Sequence, residues 1–358
     1  MTQTTPAANR RRILFVDDEP AILQGLRASL HRERKRWDMV FANGADEALA
    51  HMRSGEFEVV VSDMRMPKVD GATLLGIVRR DYPATARVIL SGHAERDSIV
   101  RALPSMHQFL SKPCTPDRLC EAIERCLASP DMDPRLRALI GRLDRLPSPA
   151  ELGGALEEFA SRPDGTLAEA TALIARDTAV AAKVMQIANS AAFGTPGRST
   201  SLVQAVQFLG VDLLRAITVG SGLFEATGDA AAALTEIQGH AVRGAAIAAR
   251  ATAGTPDVDQ AFVAALLRDV GRIVLVVGMP GEYRAMVDEV AATGPLTGAR
   301  ICAAEARVFG ADHATVGATL LRMWGLPESI VDLVAHHHTP ERAKAAPALI
   351  AAVHAAAG

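Results

Sequence analysis

The sequence predicts an α/β unit, a doubly wound five-stranded parallel sheet, followed by an all-α helical domain. Two observations carry this. In the first third of the chain, five short apolar runs alternate with helical patterns, and the runs are too uniformly apolar for a sheet with one wet face. Beyond about residue 148 the strand signals fade and apolar residues recur at helical spacing. A chain of 358 residues fits two domains at about 100–200 residues each.

The strands are expected at Ile13–Val16, Met39–Phe41, Val59–Val61, Val88–Leu90 and Phe109–Leu110. Helices are expected between and after them, at Ala21–Leu30, Ala45–Arg53, Gly71–Arg80, Arg96–Leu103 and Pro116–Leu127. These elements make one domain over residues 11–128, behind a disordered tail at 1–10. The segment "SPDMDPRLRALIGRLDRLPSPAEL" is rich in proline and charge, and reads as a linker helix over 129–147 with a breaker at each end. Residues 148–358 then form the helical domain, in runs such as "AVAAKVMQIANSAAFG" and "LVQAVQFLGVDLLRAITV". "RIVLVV" has the composition of a strand, but its neighbours are helical and a lone strand would have no partner, so it is assigned to a helix.

Hydrophobic content of 49% and charged content of 22% describe a folded globular chain, and aromatic content of only 4% makes the core aliphatic. A net charge of −3 gives no basic excess to draw the chain onto nucleic acid or an anionic membrane. The run Arg32, Arg34, Lys35, Arg36 has no aromatic residues interleaved and reads as a solvated helix end. Cys114, Cys120, Cys126 and Cys302 make no CxxC pair, so they are expected as reduced thiols. The apolar run after Arg12 stops within four residues at Asp17, too short for an export signal. No stretch approaches the ~20 apolar residues that span a bilayer. A cytoplasmic location, with no membrane contact, is the expectation.

Chemistry concentrates where the strands end. Asp17 and Asp18 follow the first strand, Asp63 the third, Ser91 the fourth and Lys112 the fifth. Ligands of open parallel sheets bind beyond the carboxyl ends of the strands, so one site collects three carboxylates, a hydroxyl and an ammonium. Three carboxylates with an incomplete oxygen cage suit Mg²⁺. A carboxylate in such a site can attack phosphorus to give an acyl phosphate, with metal and lysine offsetting charge on the transferring group.

The blocks "ILFVDDEP", "VVVSDMRMPKVDG", "VILSGH" and "FLSKP" together resemble the receiver domain of bacterial response regulators, a flavodoxin-like fold, over residues 11–128. The resemblance implies that Asp63 is the phosphoacceptor and that Asp17, Asp18, Asp63 and the backbone carbonyl of Arg65 hold Mg²⁺. It implies that Lys112 pairs with the phosphoryl group, that Ser91 is the switch hydroxyl, and that Phe109 stands at the switch aromatic position. In that family the Lys-Pro bond, here before Pro113, is often cis. The phosphodonor would be a sensor histidine kinase or a phosphotransfer protein, and dimerisation through the switch face is a family expectation.

The helical domain carries His240, His313, His336, His337 and His338, with Asp269 and Glu305 among them. A His/Asp set on helices is the raw material of a metal-dependent phosphohydrolase. "DTAVAAKVMQIANSAAFG", "AFVAALLRDVGRIVL" and "HATVGATLLRMWGLPESIVDLVAHHH" resemble the HDOD domain, a helical relative of the HD phosphohydrolases. An HD enzyme needs adjacent His and Asp where this chain reads "LLRDVG". Arg268 stands at the histidine position, and a guanidinium has no lone pair for a metal. Arg268 is therefore expected to pair with Asp269, leaving His240, Asp269, His313 and His337 as remnants of a metal site. No GYP signature follows the last histidines. The expectation is a phosphorylation-switched regulator whose HDOD domain is non-catalytic, holds no cofactor, and acts on an unidentified protein partner rather than on DNA. The alternatives are a receiver-gated phosphodiesterase or phosphohydrolase, and a nucleotide-binding sensor.

Overall fold

The computed structural model describes residues 10–92, 101–102, 105–128, 132–143, 146–148, 150–190, 199–220 and 229–357. The chain divides into two compact units, residues 1–127 and 128–358.

The first unit is the expected parallel sheet. Its strands are β1 (Arg11–Asp17), β2 (Trp37–Asn43), β3 (Val59–Asp63), β4 (Ala86–Ser91) and β5 (Gln108–Ser111), in the order β2-β1-β3-β4-β5, with every neighbouring pair parallel. Helices α1 (Pro20–Ser29), α2 (Ala45–Ser54), α3 (Gly71–Asp81) and α4 (Pro116–Leu127) connect or follow the strands. The helix expected at Arg96–Leu103 lies largely outside the described residues. Ile13, Leu14 and Phe15 of β1, Val59–Val61 of β3 and Val88 and Ile89 of β4 are fully buried. Burial along consecutive residues means that both faces of each strand are covered, which is why these runs do not alternate. Each such side chain contributes about 1.5–3 kcal/mol on leaving water. The strand order reverses direction between β1 and β3, so a crevice opens where their carboxyl ends diverge.

The second unit has only helices as regular elements among its described residues, apart from one isolated bridge residue at Ser148. It runs α5 (Pro134–Arg142), α6 (Ala150–Ser161), α7 (Leu167–Ile174), α8 (Thr178–Ala188), α9 (Leu202–Gly220), α10 (Asp229–Ala251), α11 (Val258–Leu267) and α12 (Val270–Gly278). It continues through α13 (Pro280–Thr293), α14 (Gly298–Phe309), α15 (His313–Met323), α16 (Glu328–His336) and α17 (Pro347–Ala355). "RIVLVV" falls inside α12, as expected. The helix read as a linker is α5, and it packs into this unit. Leu136 and Ile140 are buried, and Leu139 lies against Gly278, where an added Cβ would meet its Cδ2 at 2.1 Å. Side-chain caps start several helices: Asp133 for α5, Thr166 for α7, Asp177 for α8 and Asp312 for α15. Every residue of α8 is buried, so this helix shows no polar face. The helical run of α9 is broken at Gly210, whose φ of 74° is in the left-handed region that glycine enters without strain.

Candidate functional site

In the first unit the acidic and basic residues meet as the strand order requires. Val16 of β1 pairs with Ser62 of β3, so the next residues, Asp17 and Asp63, leave the sheet side by side. Both are buried, while Asp18 is half-buried. Lys112 follows β5 and reaches back over β4 and β3. Its ammonium donates to Asp17 Oδ2 at 2.9 Å and to Asp63 Oδ1. Burial works against the charge on Lys112, but the bonds to Asp63 and Asp17 outweigh it and raise its pKa above the ordinary value. The backbone fixes both ends of this bridge. Asp17 Oδ1 accepts from the Glu19 N–H at 3.0 Å, and Asp63 Oδ2 accepts from the Arg65 N–H at 2.6 Å.

The loop from Asp63 to α3 is held tightly. The Val69 N–H donates to the Pro67 carbonyl, with Lys68 between them at φ 67°, a γ-turn-like pinch. The Gly71 N–H donates to the Met64 carbonyl at 2.9 Å, and Asp70 caps α3 through the Thr73 N–H. Gly71 has no alternative at this position, because a Cβ there would lie 2.1 Å from the Asp63 carbonyl oxygen. On the other side, Ser91 is buried and its carbonyl accepts from the Lys112 N–H at 2.7 Å. Phe109 is 1% exposed and pairs in register with Ile89. The Lys112–Pro113 bond is cis.

Three carboxylates against one ammonium leave the strand ends with an excess of negative charge on hard oxygen donors. That donor set fits Mg²⁺, which Asp17, Asp18 and Asp63 would hold. The basic run at residues 32–36 is a solvated 3₁₀ turn, with Arg36 paired to Glu33 and Glu124.

The second unit builds a separate buried cluster. Arg268, 2% exposed, pairs through Nε with Asp269 Oδ2 at 3.1 Å, the ion pair expected from the sequence. Its Nη1 donates to the Ala265 carbonyl and its Nη2 to the His240 carbonyl, each at 3.3 Å. Room for this side chain comes from Gly244 in the middle of α10, where a Cβ would lie 1.8 Å from Arg268 Nη1. The structure brings Asp269, His313 and His337 together. His240 contributes its carbonyl to Arg268, and its exposed ring lies on the wall of a cavity of about 750 Å³ that Arg268, Asp269, His313 and His338 also line.

His313 is the first residue of α15, where backbone N–H groups lack helical partners. Glu305 of α14, fully buried, accepts both the His313 N–H at 2.8 Å and the ring Nδ1 at 2.6 Å. The other ring nitrogen, Nε2, faces His337 Nε2 at 3.3 Å, His338 Nε2 at 3.1 Å and Asp269 Oδ1 at 3.6 Å. Burial alone would lower the His313 pKa, but the Glu305 carboxylate outweighs it and pushes the imidazole up to about 10. Burial and the neighbouring His313 push His337 well down, and His338 down to about 4. Burial opposes the Asp269 charge, yet Arg268 and Arg272 hold its carboxyl well below the usual range.

Cys302 and Arg272 are parts of this cluster that the residue pattern did not single out, and Glu305 and His338 were noted in the set without a role. The signal for them was weak. Glu305 lies eight residues before His313, across a turn whose Gly310 has φ 79°. That spacing has meaning only once α14 and α15 are known to fold back on one another.

Two family models match the chain: the response regulator receiver domain over residues 13–124 and the HDOD domain over residues 146–340. Among curated relatives, the alginate biosynthesis transcriptional regulatory protein AlgB of Pseudomonas syringae pv. tomato is 34% identical over 136 residues, covering 38% of this chain and 30% of that protein. Transcriptional regulatory protein GlrR of Escherichia coli K12 is 30% identical over 131 residues, covering 36% of this chain and 29% of that protein. The match therefore spans less than a third of these relatives' length. Among solved structures, the MmoQ response regulator of Methylococcus capsulatus aligns with TM-score 0.50 at 25% identity, over 60% of this chain and 87% of that one. The HDOD match alone runs over more than half of the chain, and the protein belongs to the HDOD family, as a response regulator with a receiver domain ahead of its HDOD domain.

Proposed function

We propose that Asp63 accepts a phosphoryl group from a sensor histidine kinase or phosphotransfer protein, and that the HDOD domain answers through protein contacts rather than catalysis. The observation that carries the first half is the single Lys112 ammonium held between the Asp17 and Asp63 carboxylates. Asp63 Oδ1, freed from that bond, is the attacking oxygen, and Lys112 stays within reach of the incoming phosphoryl oxygens. Mg²⁺ bound by Asp17, Asp18, Asp63 and the Arg65 carbonyl would supply charge neutralisation at the phosphoryl group. The new acyl phosphate carries about −1.5 to −2 charge in place of the carboxylate's single charge, where Lys112 and the Ser91 hydroxyl can answer it. Phe109, inward and buried, is the side chain whose packing follows Ser91.

For the output half, the supporting observation is Arg268. Its guanidinium fills the space beside Asp269 that a second metal ion of a dinuclear hydrolase would need. A chemical phosphodonor with Mg²⁺ should label the wild type and leave Asp63→Asn unlabelled by intact-protein mass spectrometry. Pulldown partners should then differ between the labelled wild type and Asp63→Asn. Labelling at another aspartate, or identical partners with identical affinities, would refute the switch. Hydrolysis of a phosphodiester that is lost on Asp269→Ala would refute the non-catalytic output.

A further inference from the structure

The helical domain is expected from its sequence to hold no cofactor, chiefly because Arg268 stands where a ligand histidine would. The donors around it point elsewhere. We infer that Asp269 Oδ1, His313 Nε2 and His337 Nε2 hold one divalent transition-metal ion of the zinc type, with an open coordination position toward the cavity. All three residues are buried, and their donor atoms lie within 4.8 Å of one another.

The spacing is that of a metal site. Donors about 2.0–2.1 Å from a tetrahedral ion sit roughly 3.3 Å from each other. His313 Nε2 lies 3.3 Å from His337 Nε2 and 3.6 Å from Asp269 Oδ1. Each ligand is also aimed by a partner behind it. Glu305 takes His313 Nδ1 at 2.6 Å, the Val334 carbonyl takes His337 Nδ1 at 2.7 Å, and Arg268 takes the other oxygen of Asp269 at 3.1 Å. Such contacts fix which ring nitrogen faces the ion and are the normal support of metal-ligating histidines. Two imidazoles and one carboxylate suit zinc or iron(II) rather than magnesium.

Arg268 sets the number of ions instead of forbidding them. It binds Asp269 Oδ2 and leaves Oδ1 facing His313, so the carboxylate cannot bridge two metals. Arg272, 4.0 Å from Oδ1, is the other cation at this carboxylate and lowers the affinity that a bare ligand set would have. His313 and Asp269 line the cavity, so a ligand entering there meets the open position. The role this gives the metal is to pin the start of α12, the start of α15 and the residue after α16 around that cavity. The assignment does not depend on phosphorylation.

A second donor set competes: Cys302, His313 and His338 also approach one another. The experiment separates them. The purified full-length chain is stripped with a chelator, dialysed with excess Mg²⁺ to satisfy the receiver, and titrated with Zn²⁺ by equilibrium dialysis and elemental mass spectrometry. About one Zn²⁺ per chain is expected for the wild type, for Asp63→Asn and for Cys302→Ser. Binding should be lost in His337→Ala and in Asp269→Asn, and weakened about 10–100-fold in Glu305→Gln. Far-UV circular dichroism and melting of the stripped variants establish that they fold. A folded His337→Ala that keeps its ion, loss of the ion in Cys302→Ser, or a wild type that retains none, each overturns the assignment.

Discussion

Replacing Gly271 with alanine probes the packing that brings His313 to Asp269. Gly271 opens α12, and its Cα sits against the first turn of α15. An alanine Cβ would lie 2.0 Å from the His313 carbonyl oxygen and 2.6 Å from the Gly317 nitrogen. Ordinary contact begins at 3.4 Å, so the two helices must part by 1.4 Å or the backbone must bend. The obstruction is backbone on both counts and cannot be moved aside like a side chain. Overpacking of this kind costs about 1–3 kcal/mol, occasionally more, and alanine's better helix propensity returns at most about 1 kcal/mol. For a unit of this size each kcal/mol shifts Tm by roughly 2–4 °C, so a net loss near 2 kcal/mol lowers it by about 4–8 °C. The assay is differential scanning calorimetry of the full chain. The reference variant is Gly154→Ala, exposed in α6 with nothing within 4 Å of its added Cβ. That change should raise the same transition by about 0.5–1 kcal/mol. If Gly271→Ala melted with Gly154→Ala rather than below the wild type, the close approach of α12 and α15 would not exist as described.

The same reasoning applies in the receiver. Gly71→Ala drives a Cβ into the Asp63 carbonyl and should slow phosphorylation by a small-molecule phosphodonor at least tenfold; an unchanged labelling rate would refute the constraint. Arg268→Met leaves the buried Asp269 carboxylate without its nearest cation. It should cost about 3–5 kcal/mol in the urea unfolding of the helical domain, and an unchanged midpoint would show the pair to be replaceable. The histidine cluster predicts a stability maximum near neutral pH in the metal-free chain. His313 is raised from 6.5 to about 10, so its contribution is full below about pH 6.5 and is lost as pH rises through 10. His338 is lowered from 6.5 to about 4, so stability is lost as pH falls from 6.5 through 4. His338→Gln should flatten the acid side of the urea-midpoint profile, and a profile as steep as that of the wild type would count against this.

The receiver was legible because its chemistry depends on strand ends, and strand ends are marked by where apolar runs stop. Asp17, Asp63 and Lys112 could be placed in one site from sequence, since a parallel sheet delivers all its carboxyl ends to one edge. The Arg268–Asp269 pair was legible as well, being adjacent in sequence with opposite charge. The helical cluster was legible only as a set of residues. Nothing in the spacing of His313, His337 and Glu305 says which helices cross. The crossing is set by Gly271 against Gly317 and by Gly244 under Arg268, which in sequence look like three unremarkable glycines within helical runs. The segment holding α5 was read as a linker because proline flanks it. Its Leu136, Leu139 and Ile140 follow helical spacing, and that apolar face finds α12 within the second unit.

Asp269 offers one oxygen to Arg268 and the other to His313. A carboxylate is a rigid plane on a single torsion, so it cannot turn toward one partner without turning from the other. Effects of substitutions at residues 268 and 313 should therefore fail to add, and a double-mutant cycle between them should return a coupling of about 0.5–3 kcal/mol. Arg268 also faces the cavity. An anion that drew its guanidinium toward the cavity would rotate the Asp269 plane and change the oxygen presented to His313. Through His313, the first residue of α15, the disturbance would reach that helix's first turn. The residue that stands where an enzyme motif has histidine thus ties the wall of the cavity, through Asp269, to the start of α15.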